Sequence, residues 1–245
     1  MPMTLRFAAL LLALAPTDAY HVVRATKGRP SQSILIGDKT CSVLDSGAKG
    51  DGKTDDTKAI QKALDECGSA GGGTVVLPAK TSNGDDAKYL SKALMISYDH
   101  TELNIPSGST LLVSNDRKNW PGEADIIATK KGVQHIAITG SGTVDGQGAE
   151  WWAHRDDFRP HMVQFNLKYG LISDVLFRDP PNHCLELFAD EMEVAGARVT
   201  APPSTGISKP SHNTDAIDVH GTPFHVHDCH FDNGDDNIAA HANHT

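Results

Sequence analysis

Three aspartates carry the most concentrated chemistry in the chain: Asp215, and 21 positions further on Asp236 with its neighbour Asp235. They sit in two polar runs, Asn213-Thr214-Asp215 and Gly234-Asp235-Asp236, and Asn182-His183 lies upstream. Crowded carboxylates repel one another, which raises the proton affinity of at least one of them, and that is the condition for general acid–base work or for holding an ion. The bland alternative is that Asn and Asp simply form turns and stacked ladders, and spacing alone favours neither.

Bringing residues this far apart together requires a repeating scaffold, and the sequence contains one. Three apolar series share the same steps of 22 and then 32 residues: Phe165, Leu187 and Val219; Ile172, Val194 and Val226; Phe177, Val199 and Phe231. Agreement across three series predicts a coil of about three short strands, and the step from Val219 to Ala240 is again 21. One such coil cannot bury its apolar face without neighbours, so the coils must stack. The ten extra residues of the longer step are placed in the turn-rich stretch from Ala201 to Pro210. No leucine-rich register or intervening helix appears, and a sandwich would not keep three series at a common offset. The expected fold is therefore all-β, a right-handed parallel β-helix.

In that register Asp215 and Asp236 occupy the same place in successive coils, roughly 4.8 Å apart along the pairing direction. Stepping back 32 from Asp215 reaches His183. Asn182, His183, Asn213 and Thr214 then form, with the aspartates, a polar strip along which a polymer could lie, and Asn182, His183 and Asn213 are the candidate substrate-binding residues.

Upstream, Thr54 is expected to cap a helix with Asp55 and Asp56 in its first turn and Ala59, Ile60, Ala63, Leu64 and Cys67 on one face, ending at Gly68. Such a helix suits the open end of a β-helix. The glycines 71 to 73 follow the helix instead of opening it, and no Gly-Lys-Ser/Thr accompanies them, so they do not make a phosphate loop. A strand is expected from Thr74 to Leu77.

Residues Met1 to Ala19 read as a secretory signal: Arg6, an apolar stretch too short to span a bilayer, then small residues. The chain accordingly divides into a signal peptide (1–19), a segment of unassigned role (20–40) and a β-helix domain (41–245). Export would expose four cysteines to an oxidising compartment, and four allow three connectivities; Cys41 with Cys67 is the preferred pair, only because both lie in the N-terminal region, with Cys184 and Cys229 then as free core thiols. Asn243-His244-Thr245 is a glycosylation sequon. A formal charge of -9 argues against phosphate neutralisation by general basicity, hence against a nucleic-acid partner. The histidines 220, 225, 227 and 230 lack a metal-site spacing and read as a surface patch, so no metal or cofactor is expected. Trp151 and Trp152 read as structural more than as sugar platforms.

Asn213-Thr214-Asp215 followed by Gly234-Asp235-Asp236 resembles the first two signature motifs of glycoside hydrolase family 28, the polygalacturonases. The likeness extends to Gly146 through Trp152, to Pro181-Asn182-His183, and to the segment Gly47 to Pro78. It implies a monomer hydrolysing α-1,4-galacturonosyl linkages of pectin with inversion, with homogalacturonan as its partner and neither membrane nor cofactor involved. Asp235 would protonate the leaving oxygen, while Asp215 and Asp236 hold and deprotonate water across a gap of roughly 6.5–9.5 Å. The family's Gly-His-Gly and Arg-Ile-Lys motifs, which follow in later coils, do not occur here, which reads as missing C-terminal coils and an incomplete substrate site. The rival readings are a Ca²⁺-dependent pectate lyase and an inactive homologue that only binds pectin.

Overall fold

The computed structural model describes residues 20–26, 33–154, 157–203 and 211–241. The signal-like segment, the sequon with His244, and most of the turn-rich insertion lie outside the described residues.

The molecule is a right-handed parallel β-helix built from an 11-stranded and a 7-stranded sheet. Each coil lends strands to both sheets, and coil stacks on coil in parallel register. Phe165 pairs with Leu187 and Leu187 with Val219; Ile172 pairs with Val194 and Val194 with Val226; Phe177 pairs with Val199 and Val199 with Phe231; Val219 pairs with Ala240. Every step of the sequence repeat is thus a strand pairing. The 32-residue step restores register after the insertion, because a one-residue slip would turn the whole apolar set outward.

Inward side chains form one continuous core running from Val43 to Ile217. Helix α1 (Thr57–Gly68) buries Ile60, Ala63, Leu64 and Cys67 in it at the first coils. A disulfide joins Cys41 to Cys67, and Cys184 and Cys229 are free. Burial holds the Cys184 thiol well above the ordinary range, so it stays protonated.

The helix starts later than the sequence suggests. Thr54 is the penultimate residue of the strand Asp51–Asp55, and Asp56 precedes α1 without a side-chain capping bond. Local bonds claim these side chains: Asp51 accepts from the Thr54 N–H (2.7 Å) and hydroxyl (2.9 Å), while buried Asp56 accepts from the N–H groups of Lys49 (2.7 Å) and Gly50 (2.9 Å). The expected strand at Thr74 is present as Gly73–Val76.

Before the coils, Tyr20–Val23 and Ile34–Gly37 form an antiparallel hairpin. Its Ile34 and Ile36 lie on the outer face of the large sheet against Ala137, Leu171 and Ala195, a second small core. Among the described residues no helix is long and apolar enough to cross a membrane.

Candidate active site

Backbone hydrogen bonds fix a column of side chains at the entrance to the large sheet. The N–H of Ile126 donates to the carbonyl of His161 (3.0 Å), Met162 to His183 (3.1 Å), Cys184 to Asp215 (2.7 Å) and Ala216 to Asp236 (2.9 Å). Asp125, His161, His183, Asp215 and Asp236 therefore stack on successive coils. Further along the same strands run two more columns, Glu186 over Asp218 and Phe188 over His220 over His241.

The expected trio is assembled: single oxygens of Asp215, Asp235 and Asp236 all lie within 4.8 Å of one another. Asp235 and Asp236 are exposed, whereas Asp215 is 8% exposed. This approach is closer than the expected gap of about 6.5–9.5 Å. The cause is the scaffold, because neighbouring coils are only about 4.8 Å apart and Asp235 adjoins Asp236. Of the expected pKa separation the structure supplies one part: burial pushes Asp215 above the usual carboxylate range, with His183 opposing and Asp218 and Asp235 reinforcing the shift.

The loops that present the trio are held tightly. Asn233 donates from its side-chain amide to the carbonyls of Thr214 (2.9 Å), Asp235 (2.9 Å) and Asp236 (3.1 Å), and the buried Thr214 hydroxyl accepts the Gly234 N–H (2.9 Å). Gly234 has to be glycine, since a Cβ there would meet Ser211 Oγ at 2.0 Å and its carbonyl oxygen at 2.3 Å. Asn213 adopts a positive φ of 56° and donates its N–H to Asp235 Oδ2 (3.0 Å).

Sequence reading missed Arg159, which is 7% exposed and fastens three segments. Its guanidinium donates to the carbonyls of Pro181 (3.0 Å) and His212 (2.7 Å) and to Asn213 Oδ1 (3.2 Å), while Asn182 donates to the Arg159 carbonyl (3.3 Å). Asn182 and Asn213 are thus tied into the frame beside the trio. A lone arginine in an irregular loop gives no periodic signal by which it could have been found.

His183 sits between carboxylates. Its Nδ1 lies 3.0 Å from Glu186 Oε2 and 3.3 Å from Asp218 Oδ2, and its Nε2 lies 3.6 Å from Asp215 Oδ1. Burial works against a charged imidazole, but these three carboxylates outweigh it and hold His183 above its ordinary pKa. Burial would likewise raise Glu186, yet His183, His161 and His220 together hold it below the usual range. His220 bonds Glu186 Oε1 (2.7 Å), and His241 bonds Asp218 Oδ1 (3.2 Å). The Phe188, His220 and His241 rings stack at 4.1 and 4.2 Å.

The four histidines of the supposed surface patch have separate fates. His220 belongs to this network, His227 pairs with buried Glu193 (2.9 Å), and His225 and His230 are exposed. Trp151 is a core residue, packed edge-on against Trp120 at 5.2 Å, and Trp152 donates to the Pro180 carbonyl (3.0 Å).

The sequence profile of glycosyl hydrolases family 28 matches residues 68–245, which contain every residue of this site. A probable polygalacturonase of Arabidopsis thaliana is 29% identical over 212 residues, covering 84% of this chain and 43% of that protein. A probable endo-xylogalacturonan hydrolase A of Aspergillus flavus is 25% identical over 219 residues, 85% of this chain and 52% of that protein. The chain spans about half the length of these curated relatives. Among solved structures, an exopolygalacturonase of Thermotoga maritima superposes with a TM-score of 0.73 at 20% identity, over 85% of this chain and 56% of that one, and so shares the fold. Stacked coils, an aspartate trio set on two of them, and a profile match over most of the sequence agree: the chain belongs to glycosyl hydrolases family 28.

Proposed function

We propose that the chain is the catalytic part of a secreted, monomeric polygalacturonase-type hydrolase that cuts α-1,4-galacturonosyl linkages in the homogalacturonan of pectin. The observation carrying this reading is the convergence of Asp215, Asp235 and Asp236 within 4.8 Å at the surface of the coils. The relatives point to pectic substrates, being named for polygalacturonan and xylogalacturonan.

In this reading Asp235, exposed and oriented by the Asn213 N–H, protonates the leaving oxygen. Asp215 and Asp236, stacked one coil apart, hold the water and take its proton. His183, held above its ordinary pKa by its three carboxylate neighbours, steadies Asp215 and, when protonated, offers a cation beside a substrate that carries carboxylates of its own. Asn182 and Asn213 complete the binding strip. No cofactor enters the scheme.

Inversion follows from the family resemblance and not from the carboxylate separation, so it is tested separately: proton NMR of the first product should show the β-anomer of the new reducing end. The reaction itself is tested with polygalacturonate and a chelator. New reducing ends without ultraviolet-absorbing unsaturated product support hydrolysis; unsaturated product that disappears with chelator would establish a lyase; binding with neither product would establish a pectin-binding protein. Asp235→Asn should lower turnover by about 10²–10⁴-fold while retaining substrate binding.

A further inference from the structure

Next to the aspartate trio lies a group of ligating side chains that acid–base hydrolysis does not require. His183, Asp215 and Asp218 each bring one nitrogen or oxygen within 4.8 Å of the others, and His161, His183 and Glu186 form a second such group sharing His183. The carboxylates are deeply buried, with Glu186 and Asp215 each 8% exposed and Asp218 2%.

Their hydrogen bonding is incomplete. Asp215 Oδ1 and Asp218 Oδ2 are buried and make no hydrogen bond, only ion-pair contacts to His183, while His161 Nδ1 lies 3.1 Å from Asp125 Oδ1. Buried polar atoms are nearly always satisfied, and these two anionic oxygens meet only the His183 imidazole, without a hydrogen bond, which leaves them capacity for a ligand. The two oxygens face His183 at 3.6 and 3.3 Å. Asp215 meets the Nε2 edge of that ring and Asp218 its Nδ1 edge; ligand atoms about 2.0–2.2 Å from a tetrahedral zinc ion lie roughly 3.3–3.6 Å from one another, so the three residues, with one atom each inside 4.8 Å, need only a small inward movement to close a coordination shell. The mixture of imidazole and carboxylate suits zinc, cobalt or manganese better than calcium or magnesium, which prefer oxygen alone.

We propose that His183, Asp215 and Asp218 bind a divalent transition-metal ion, with His161 and Glu186 in reach as further ligands, and that its binding withdraws Asp215 from acid–base work. The ion is an inhibitor in this scheme. That consequence rests on the hydrolase reading above, whereas the binding itself does not.

The test is titration of the chain with Co²⁺ and Zn²⁺, followed by calorimetry and by the visible absorption of bound cobalt. One equivalent should bind; Asp218→Asn and His183→Gln should each weaken binding at least tenfold, and His230→Ala, at an exposed histidine outside the group, should leave it unchanged. No binding, binding indifferent to Asp218→Asn and His183→Gln, or binding lost with His230→Ala would overturn the proposal. Should either buried variant fail to fold, paramagnetic shifts by Co²⁺ in the unaltered protein decide: imidazole signals of His183 and His161 must move, and movement confined to His225 and His230 refutes the site. Zinc should also suppress the release of reducing ends. A chain that binds metal here but never cleaves pectin would sink the hydrolase reading and leave the metal site standing; cleavage without metal binding would do the reverse.

Discussion

Asp215 combines burial, a raised pKa and a place in the aspartate trio, so its charged form is the costly one to hold. Asp215→Asn keeps the shape and removes the base; turnover should fall by about 10²–10⁴-fold, read as kcat on polygalacturonate with the fold checked by circular dichroism. His183 gives a pH test of the network. Its folded pKa lies above the ordinary 6.5, so the stability it contributes is fully present below that value and is lost as pH rises through the raised one. The stability advantage of the unaltered protein over His183→Gln should therefore be larger below pH 6.5 than in alkaline buffer, as measured by urea unfolding; a constant difference would show that the imidazole is not charged in the fold. At this scale the sequence disclosed Asp215, Asp236 and His183 because they recur at the coil period, and Asp235 because it adjoins Asp236. Glu186 and Asp218 carry the same signal, two acids 32 residues apart on paired strands, and were missed; Arg159 was hidden, because its contacts cross three loops of no fixed spacing.

Among the elements, the turn at Gly234 and the first-coil disulfide lend themselves to direct tests. Adding one methyl group at Gly234 would drive it into Ser211, so Gly234→Ala should cost about 1–3 kcal/mol in urea unfolding and, by displacing the adjacent aspartates, lower turnover as well. The Cys41–Cys67 bridge joins the start of the coils to the last turn of α1 across 26 residues, and Cys67→Ser should cost about 3–4 kcal/mol by freeing the unfolded chain. The sequence left three connectivities open and favoured that pairing only because both cysteines lie in the N-terminal region. The start of α1 was not, since Thr54 and the aspartates around it have two competing uses, helix cap and loop tie, and tertiary contacts to Lys49 and Gly50 chose the second.

Across the whole molecule, winding is what converts a linear spacing into a site, and the apolar ladders enforce the winding. Phe165 is fully buried in the stack with Leu187, so Phe165→Ala should lose about 3–5 kcal/mol and carry activity down with it, although it is itself a core residue and not part of the aspartate trio. The ladder pattern was fully legible because parallel coils repeat the same inward positions. The outer hairpin that covers Ala137 and Leu171 was not, since its four-residue strands precede the repeat and pair with each other in antiparallel fashion. In the proposed reaction, stacked coils set Asp215, Asp235 and Asp236 around one scissile bond. A crystal structure of Asp235→Asn with a galacturonate oligomer is the decisive measurement: a glycosidic oxygen should lie within about 2.6–3.2 Å of the substituted side chain, with water between Asp215 and Asp236. An oligomer bound along another face, leaving those three positions untouched, would contradict it.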